Sequence, residues 1–223
     1  MGTLSVIATP IGNLEDITLR ALRMFRECSV VYAEDTRVVS KLLTHYGIQK
    51  PLQRLDAATE TKKTDEIIAR LEMGEHVVLV SDAGTPGISD PGARLIGKVR
   101  ERLSGTVIEA IPGPSALTAA LSIAGICTTE FTFLGFLPHK KGRQTVLKKI
   151  AVSEIPIVLY ESPHRILKLL KEMETFRSSR ITIARELTKI HEEVISGSIE
   201  EVQEYFLKHS DHVRGEFVVI VVP

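Results

Sequence analysis

The amino-acid sequence predicts an α/β protein of two domains, with a mostly parallel sheet in the first and a mixed sheet in the second. Three observations carry this. Short apolar runs alternate with amphipathic stretches up to about residue 124, the β-α-β-α rhythm of a parallel sheet covered on both faces. Beyond that point strand-like runs crowd together, which suits a mixed sheet. The chain has 223 residues, enough for one large domain or two small ones. The texture changes at residues 112–116, so the expected domains are 1–113 and 114–223.

Leu4–Ala8 reads as the first strand. Ile17, Ala21, Met24 and Phe25 then recur at helical spacing. Ser29–Ala33 is a second strand and Thr36–Tyr46 a second helix. Thr61–Met73 is helical, with Thr61 or Thr64 as N-cap. Val77–Val80 and Val107–Ile111 are strands, separated by a helix from about Pro91 to Leu103, for which Asp90 is the expected N-cap because Pro favours the first helical position. Pro114–Ala124 is a helix of small residues. In the second half, Phe131–Phe136, Ile155–Tyr160, Ile181–Glu186, His191–Ser196 and Glu216–Val222 read as strands. Lys140–Lys149 reads as a basic helix. Ile166, Leu169, Leu170 and Met173 form an apolar helical stripe, and Ser198–Lys208 is a last helix.

Hydrophobic residues make up 43% and charged residues 25%, a composition that folds around a core. Lys plus Arg equals Asp plus Glu at 28 each, so any surface for a polyanion must be local. Cys28 and Cys127 lack metal or CxxC spacing and are expected to be small core residues in a reducing compartment. The seven histidines are scattered and H-E-x-x-H is absent, so no metal site is expected. Without a run of 18 apolar residues or a basic-then-apolar N-terminus, a soluble cytoplasmic protein is expected.

Four turns fall at the carboxyl ends of expected strands, where open parallel sheets bind ligands. They are Ala8–Asn13, Glu34–Arg37, the VSDAGTPGISDPG stretch at 80–92, and Pro112–Ala116. Gly permits positive φ and close backbone approach, and Pro keeps a turn stiff. Singly, each could be an ordinary βα turn. Together they suggest a small molecule gripped by main chain. GxxxxGK[ST] and GxGxxG are both absent, which argues against a P-loop and a dinucleotide site.

ATPIGNLEDIT at 8–18, AEDTR at 33–37, VSDAGTPGISDPG at 80–92, IPGPSA at 111–116, GFLP at 135–138, ESPHR at 161–165 and ARELTKIHEE at 184–193 follow one another in order. This set resembles the ribosomal RNA small subunit methyltransferase I family, a branch of the tetrapyrrole-methylase-like S-adenosylmethionine enzymes. The resemblance spans essentially the whole chain. It implies the two-domain tetrapyrrole-methylase-like fold, a homodimer, and S-adenosylmethionine in the cleft between domains. It also implies 2′-O-methylation of a cytidine ribose in the decoding region of 16S rRNA within the small ribosomal subunit. Typical members carry a further helical segment after the GEFVV strand, which here nearly ends the chain. A short form or a truncated chain is expected, with weaker rRNA docking if a segment is missing.

By the same resemblance the cofactor contacts are Pro10, Ile11 and Gly12; Asp82, Gly84, Thr85, Pro86 and Ile88; Ser115 and Ala116; Leu159 and Tyr160; Ala184 and Arg185; and Gly215, Glu216 and Phe217. Asp82 also has a plainer reading, as a residue bridging its own turn. Methyl transfer to a hydroxyl is mostly a matter of alignment, which can supply about 7–11 kcal/mol. A positioned base adds about 10²–10⁴-fold. The catalytic candidates are Asp35, Arg37, Glu161, Arg165, Glu186 and Lys189, and the base is left open among Asp35, Glu161, Glu186 and Lys189. A salt-bridge network of Asp35, Arg37, Glu161 and Arg165 is the structural alternative. His164 is expected to be a cap or a solvated residue. Lys140, Lys141, Arg143, Lys148 and Lys149 are the expected RNA contacts, with a solvated helix face as the alternative. Arg20, Arg23 and Arg26 could extend that patch. The competing functions are methylation of a tetrapyrrole or other small metabolite, and a cofactor-gripping assembly module without turnover.

Overall fold

A computed structural model describes residues 1–56, 58–174 and 180–223. The chain forms two compact units, Met1–Ser115 and Ala116–Pro223.

The first unit is a five-stranded sheet of β1 (Thr3–Ile7), β2 (Val30–Ala33), β3 (Leu52–Arg54), β4 (His76–Val80) and β5 (Val107–Ile111). Its order is β3-β2-β4-β1-β5 and every pairing is parallel. Four helices cover it: α1 (Leu19–Glu27), α2 (Thr36–His45), α3 (Glu60–Glu72) and α4 (Ala93–Arg102). Alternate strand residues feed two cores, as the strand's two-residue repeat requires. Ile7, Val78, Val80 and Ile111 pack with Phe25 of α1 and Leu42 of α2. Leu4, Tyr32, Val77 and Leu79 pack with Ile67 and Leu71 of α3 and Leu95 and Val99 of α4. Each such side chain taken fully out of water contributes about 1.5–3 kcal/mol. The strand β3 has no counterpart in the sequence reading, because Leu-Gln-Arg is short, polar and at the sheet edge.

The second unit begins with α5 (Ala116–Ile123) and continues with β6 (Thr132–Phe136), α6 (Arg143–Ala151), β7 (Ile157–Glu161), α7 (Ile166–Met173), β8 (Arg180–Arg185), β9 (Glu193–Ser198), α8 (Ile199–Lys208) and β10 (Phe217–Val222). The sheet order is β6-β7-β10-β8-β9; β6 and β7 run parallel and the other pairs antiparallel. The mixed sheet is as expected. Leu159, Ile183, Phe217 and Val219 pack on the stripe Ile166, Leu169, Leu170 and Met173 and on Phe206 of α8. Ser198 caps α8 in a reciprocal capping box with Glu201.

Several local expectations need correction. The N-cap of α3 is Thr59, while Thr64 lies inside the helix with its hydroxyl donating to the Glu60 carbonyl at 2.7 Å. Asp90 does not cap α4; Gly92 does, with φ 121° and no side chain to contribute. The basic helix starts at Arg143, because Gly142 before it adopts the left-handed conformation. Cys28 is buried and burial pushes its thiol up to about 11, but Cys127 is exposed and not a core residue.

Candidate functional site

The four turns do converge on one edge. In a parallel sheet the carboxyl ends of β1, β2, β4 and β5 lie side by side, and hydrogen bonds then join the turns that follow. Thr9 and Gly84 exchange both main-chain bonds at 2.9 Å, forming an isolated antiparallel bridge. The Thr9 hydroxyl also donates to the Ser81 carbonyl at 3.2 Å. The Asp35 amide donates to Asp82 Oδ1 at 2.8 Å, and the Thr85 hydroxyl to the Pro114 carbonyl at 3.3 Å. A Cβ on Gly113 would stand 3.1 Å from the Ala8 Cβ, so the first and fourth turns are in near contact.

Of the expected cofactor residues in this unit, Pro10, Ile11, Gly84 and Pro86 are buried in these junctions. Gly12 and Ile88 are exposed, and Asp82, Thr85 and Ser115 are half-buried. Gly84 and Gly87 have φ of 79° and 81°, and Ser89 takes φ 65° although it is not glycine. The turn is therefore contorted as well as fixed, a combination that concentrates at ligand sites. Asp82 serves to join two turns through its carboxylate.

The same edge gathers carboxylates. Burial, then the charges of Asp82 and Asp56, raise the Glu34 pKa. Burial, then the charges of Glu34 and Asp82, push Asp90 up to about 6 against a hydrogen bond with Ser81. A carboxyl in that range is ionised at neutral pH yet still basic enough to accept a proton. Sequence reasoning missed this, since Asp90 beside Pro91 carries the signature of a cap. Asp35 goes the other way. Its hydrogen bonds with the Arg37 side chain and amide hold it at about 2. Arg37 Nη2 meets Asp35 Oδ2 at 2.5 Å on an exposed surface.

In the second unit the expected residues also share one end of a sheet. Phe217 pairs with Glu161 on one side and Arg185 on the other, and Val218 pairs with Tyr160 and Ala184. Leu159 and Phe217 point into the core, so only their main chain is left for a ligand. The Tyr160 ring meets Phe133 and Phe136 edge-on, with centroids 5.0 and 5.6 Å apart.

Glu161, with its side chain wholly buried, pairs with Arg165 at 2.6 Å and lies 3.8 Å from Arg143. Arg143 in turn reaches Glu172 at 2.7 Å, and its side chain is 4% exposed. This corrects the expected role of Arg143. It is a buried structural cation, held by two carboxylates, and offers nothing to a phosphate. Lys140, Lys141, Lys148 and Lys149 are exposed, as are Arg20, Arg23, Arg26 and His164. Asp35 with Arg37, and Glu161 with Arg165, are ion pairs belonging to different units.

Glu186 and Lys189 form a third cluster. Glu186 adopts φ 50° and Thr188 φ 64°. Glu186 Oε1 accepts from Lys189 Nζ at 2.8 Å and from the Glu216 amide at 3.1 Å, while Lys189 also reaches Glu216 Oε2 at 3.0 Å. Burial acts to raise Glu186, but Lys189 and the Glu216 amide outweigh it and hold the carboxyl low. Burial acts to lower Lys189, and the two carboxylates outweigh it and keep the ammonium protonated. Gly215 is dictated by this cluster, because a Cβ there would stand 2.0 Å from Glu186 Oε1. Arg185 is buried and braces the same loops, donating to Glu193 at 3.2 Å and to the His191 and Arg214 carbonyls at 3.4 Å. Glu193, the last residue of the ARELTKIHEE stretch, is shared with Tyr205 and His212, which lie outside the quoted motifs.

A sequence profile of the family described as Tetrapyrrole (Corrin/Porphyrin) Methylases matches residues 3–203. The chain is 44% identical to the ribosomal RNA small subunit methyltransferase I of Neisseria meningitidis serogroup B, with 100% of the chain and 76% of that protein covered. It is 41% identical to the protein of the same name from Thermotoga maritima, covering 99% and 98%. Among solved structures, a uroporphyrin-III C-methyltransferase from Thermus thermophilus complexed with S-adenyl homocysteine superposes with a TM-score of 0.65 at 19% identity, over 100% and 97% of the two chains. The motif order, the two sheets and these matches agree: the chain belongs to the tetrapyrrole methylase family and, within it, to the ribosomal RNA small subunit methyltransferase I proteins.

Proposed function

We propose that this protein methylates the ribose 2′-hydroxyl of a cytidine in the decoding region of 16S rRNA, using S-adenosylmethionine. The observation that carries the reading is the welded edge of the first sheet, joined to relatives, named as ribosomal RNA small subunit methyltransferases, that match over the whole of this chain. Pro10–Gly12, Gly84–Ile88, Ser115 and Ala116 are the residues that would hold the cofactor. The stitched main chain fits such a group because its donors and acceptors are already fixed, so little ordering is left to binding. S-adenosylmethionine supplies an electrophilic methyl on a good leaving group. The protein's share is then alignment, exclusion of water and removal of one hydroxyl proton. Lys189 stays protonated, but the Glu186 and Glu216 carboxylates share its charge within that cluster.

For the RNA, the exposed Lys140, Lys141, Lys148 and Lys149 are the proposed phosphate contacts on a chain of zero net charge. A homodimer is also proposed. Helix α5 is almost wholly apolar yet buries only Ala120, and Ile123, Phe131 and Phe136 nearby in sequence are exposed. A cytoplasmic location follows from an rRNA substrate; among the described residues no helix is long and apolar enough to cross a membrane.

The test is transfer of labelled methyl to small ribosomal subunits and to naked 16S rRNA, with the product mapped to base or ribose. Ribose label on either RNA form supports the proposal. Label found only on a tetrapyrrole or another small metabolite, or cofactor binding without any turnover, overturns it.

A further inference from the structure

The exit of the 80–92 turn is held by a residue from another helix. Ten residues of α4 follow Gly92, and the first amides of a helix have no partner within it. An Asp, Ser or Thr at the cap position would normally satisfy one. Here that solution is closed. Gly92 has φ 121°, and a Cβ on it would stand 2.8 Å from Leu79 Cδ2 in the core. The acceptor comes instead from Glu60, the first residue of α3, which is 5% exposed. Its Oε1 takes the Gly92 amide at 3.1 Å and the Leu95 amide at 3.0 Å.

Glu60 is itself fixed. Its amide donates to the Asp56 carbonyl at 2.8 Å, and its carbonyl accepts from the Thr64 hydroxyl at 2.7 Å. Asp56 is anchored in turn by the Thr59 amide at 2.8 Å and by an ion pair with Arg54, at the end of β3, at 2.7 Å. The turn is thus tied at its entry by the Thr9–Gly84 bridge and at its exit by Glu60. Between the two ties lie Thr85–Ser89, with positive φ at Gly87 and Ser89.

We infer that Glu60 is a positioning residue for S-adenosylmethionine binding: by capping α4 from outside, it sets the conformation of Thr85–Ser89. This rests on the proposed reading of that turn as a cofactor wall. Glu60 does not touch the reacting atoms. Its acceptor oxygen matters, and its charge is secondary.

The test compares the full-length parent with E60A and E60Q. S-adenosylhomocysteine affinity is measured by calorimetry, amide exchange is followed over residues 84–95, and Tm is recorded. A matched cavity variant in the second unit, Phe206→Leu, controls for stability loss alone. The expected result for E60A is about tenfold weaker binding, the loss of roughly one good interaction. Exchange should speed up at Gly92 and Leu95 and through Thr85–Ser89. E60Q, which keeps the oxygen, should return close to the parent, and Phe206→Leu should lose Tm with parental affinity. If E60A does not accumulate as folded protein, E60D, one methylene short, takes its place with the same expectation. Parental affinity and parental exchange at Thr85–Ser89 in E60A overturn the inference, and so does an E60Q as impaired as E60A. A parent that binds no S-adenosylhomocysteine refutes the cofactor reading, and with it the role in binding, whatever the exchange shows.

Discussion

Replacing Gly215 by Ala tests a close contact in the second unit. The new Cβ would stand 2.0 Å from Glu186 Oε1 and 2.2 Å from its Cδ, at a backbone φ of 83°. The left-handed conformation alone costs an alanine about 1 kcal/mol. The overlap forces the Glu186 carboxylate to leave, and it then gives up Lys189 Nζ and the Glu216 amide. Hydrogen bonds to charged groups contribute about 1.5–3 kcal/mol when sheltered. Lys189 is 31% exposed, so screening reduces its share. Together these give about 3–4 kcal/mol for G215A, with the conformational part near 1 and the displaced carboxylate near 2–3. The second part disappears if Glu186 is already absent. In an E186A background the same glycine change should cost only about 1 kcal/mol, a coupling of about 2–3. Urea denaturation of the parent, both single variants and the double variant measures all four corners. Single-variant effects that add to within about 0.5 kcal/mol would show that the contact between Gly215 and Glu186 is not what fixes this loop.

The remaining predictions concern charge. Asp90 has a carboxyl raised to about 6 in the folded protein, so between about pH 4 and pH 6 the folded chain binds more protons than the unfolded one. Stability therefore falls as pH rises through that window and stays lowered above it. D90N should gain about 1–2 kcal/mol at pH 7.5, a figure discounted for partial exposure, and nothing at pH 4; Tm across pH reads this, and an equal gain at both ends counts against it. R143A removes a cation buried between Glu161 and Glu172 and should cost about 3–5 kcal/mol, whereas K148A at the exposed face should stay within about 0.5. Chemical denaturation of both separates the buried arginine from the surface lysine. Reversing Lys140, Lys141, Lys148 and Lys149 to Glu should weaken rRNA binding and flatten its salt dependence while leaving Tm nearly unchanged. A salt slope equal to the parent's would remove these lysines from the RNA surface.

Much of the fold was legible because it follows from periodicity. The strands around Leu4, Val77 and Val107 and the stripe Ile166, Leu169, Leu170 and Met173 announce buried faces directly. The edge strand Leu52–Arg54 did not, because an edge position with little burial leaves no apolar run. The turns of the site were legible from their Gly and Pro, and the structure joins them through Thr9, Asp82 and Thr85. What stayed hidden is tertiary. Arg143 sits in the most basic run of the chain, and only its neighbours Glu161 and Glu172, far along the sequence, reveal it as buried. Asp90 looks like a cap until Gly92 is seen to hold that position and Glu60 to supply the acceptor. No local pattern encodes a carboxylate donated by a different helix.

The Thr9–Gly84 junction has a practical consequence for how this protein is dissected. Both of its linkages run between backbone atoms, so truncating the Thr9 side chain leaves them in place and removes only the hydroxyl's bond to the Ser81 carbonyl. An alanine at Thr9 would therefore report the lost hydroxyl and not the clasp, and an alanine at Gly84, where φ is 79°, would report backbone strain. Only editing the backbone itself, by an ester in place of the amide, would expose its worth.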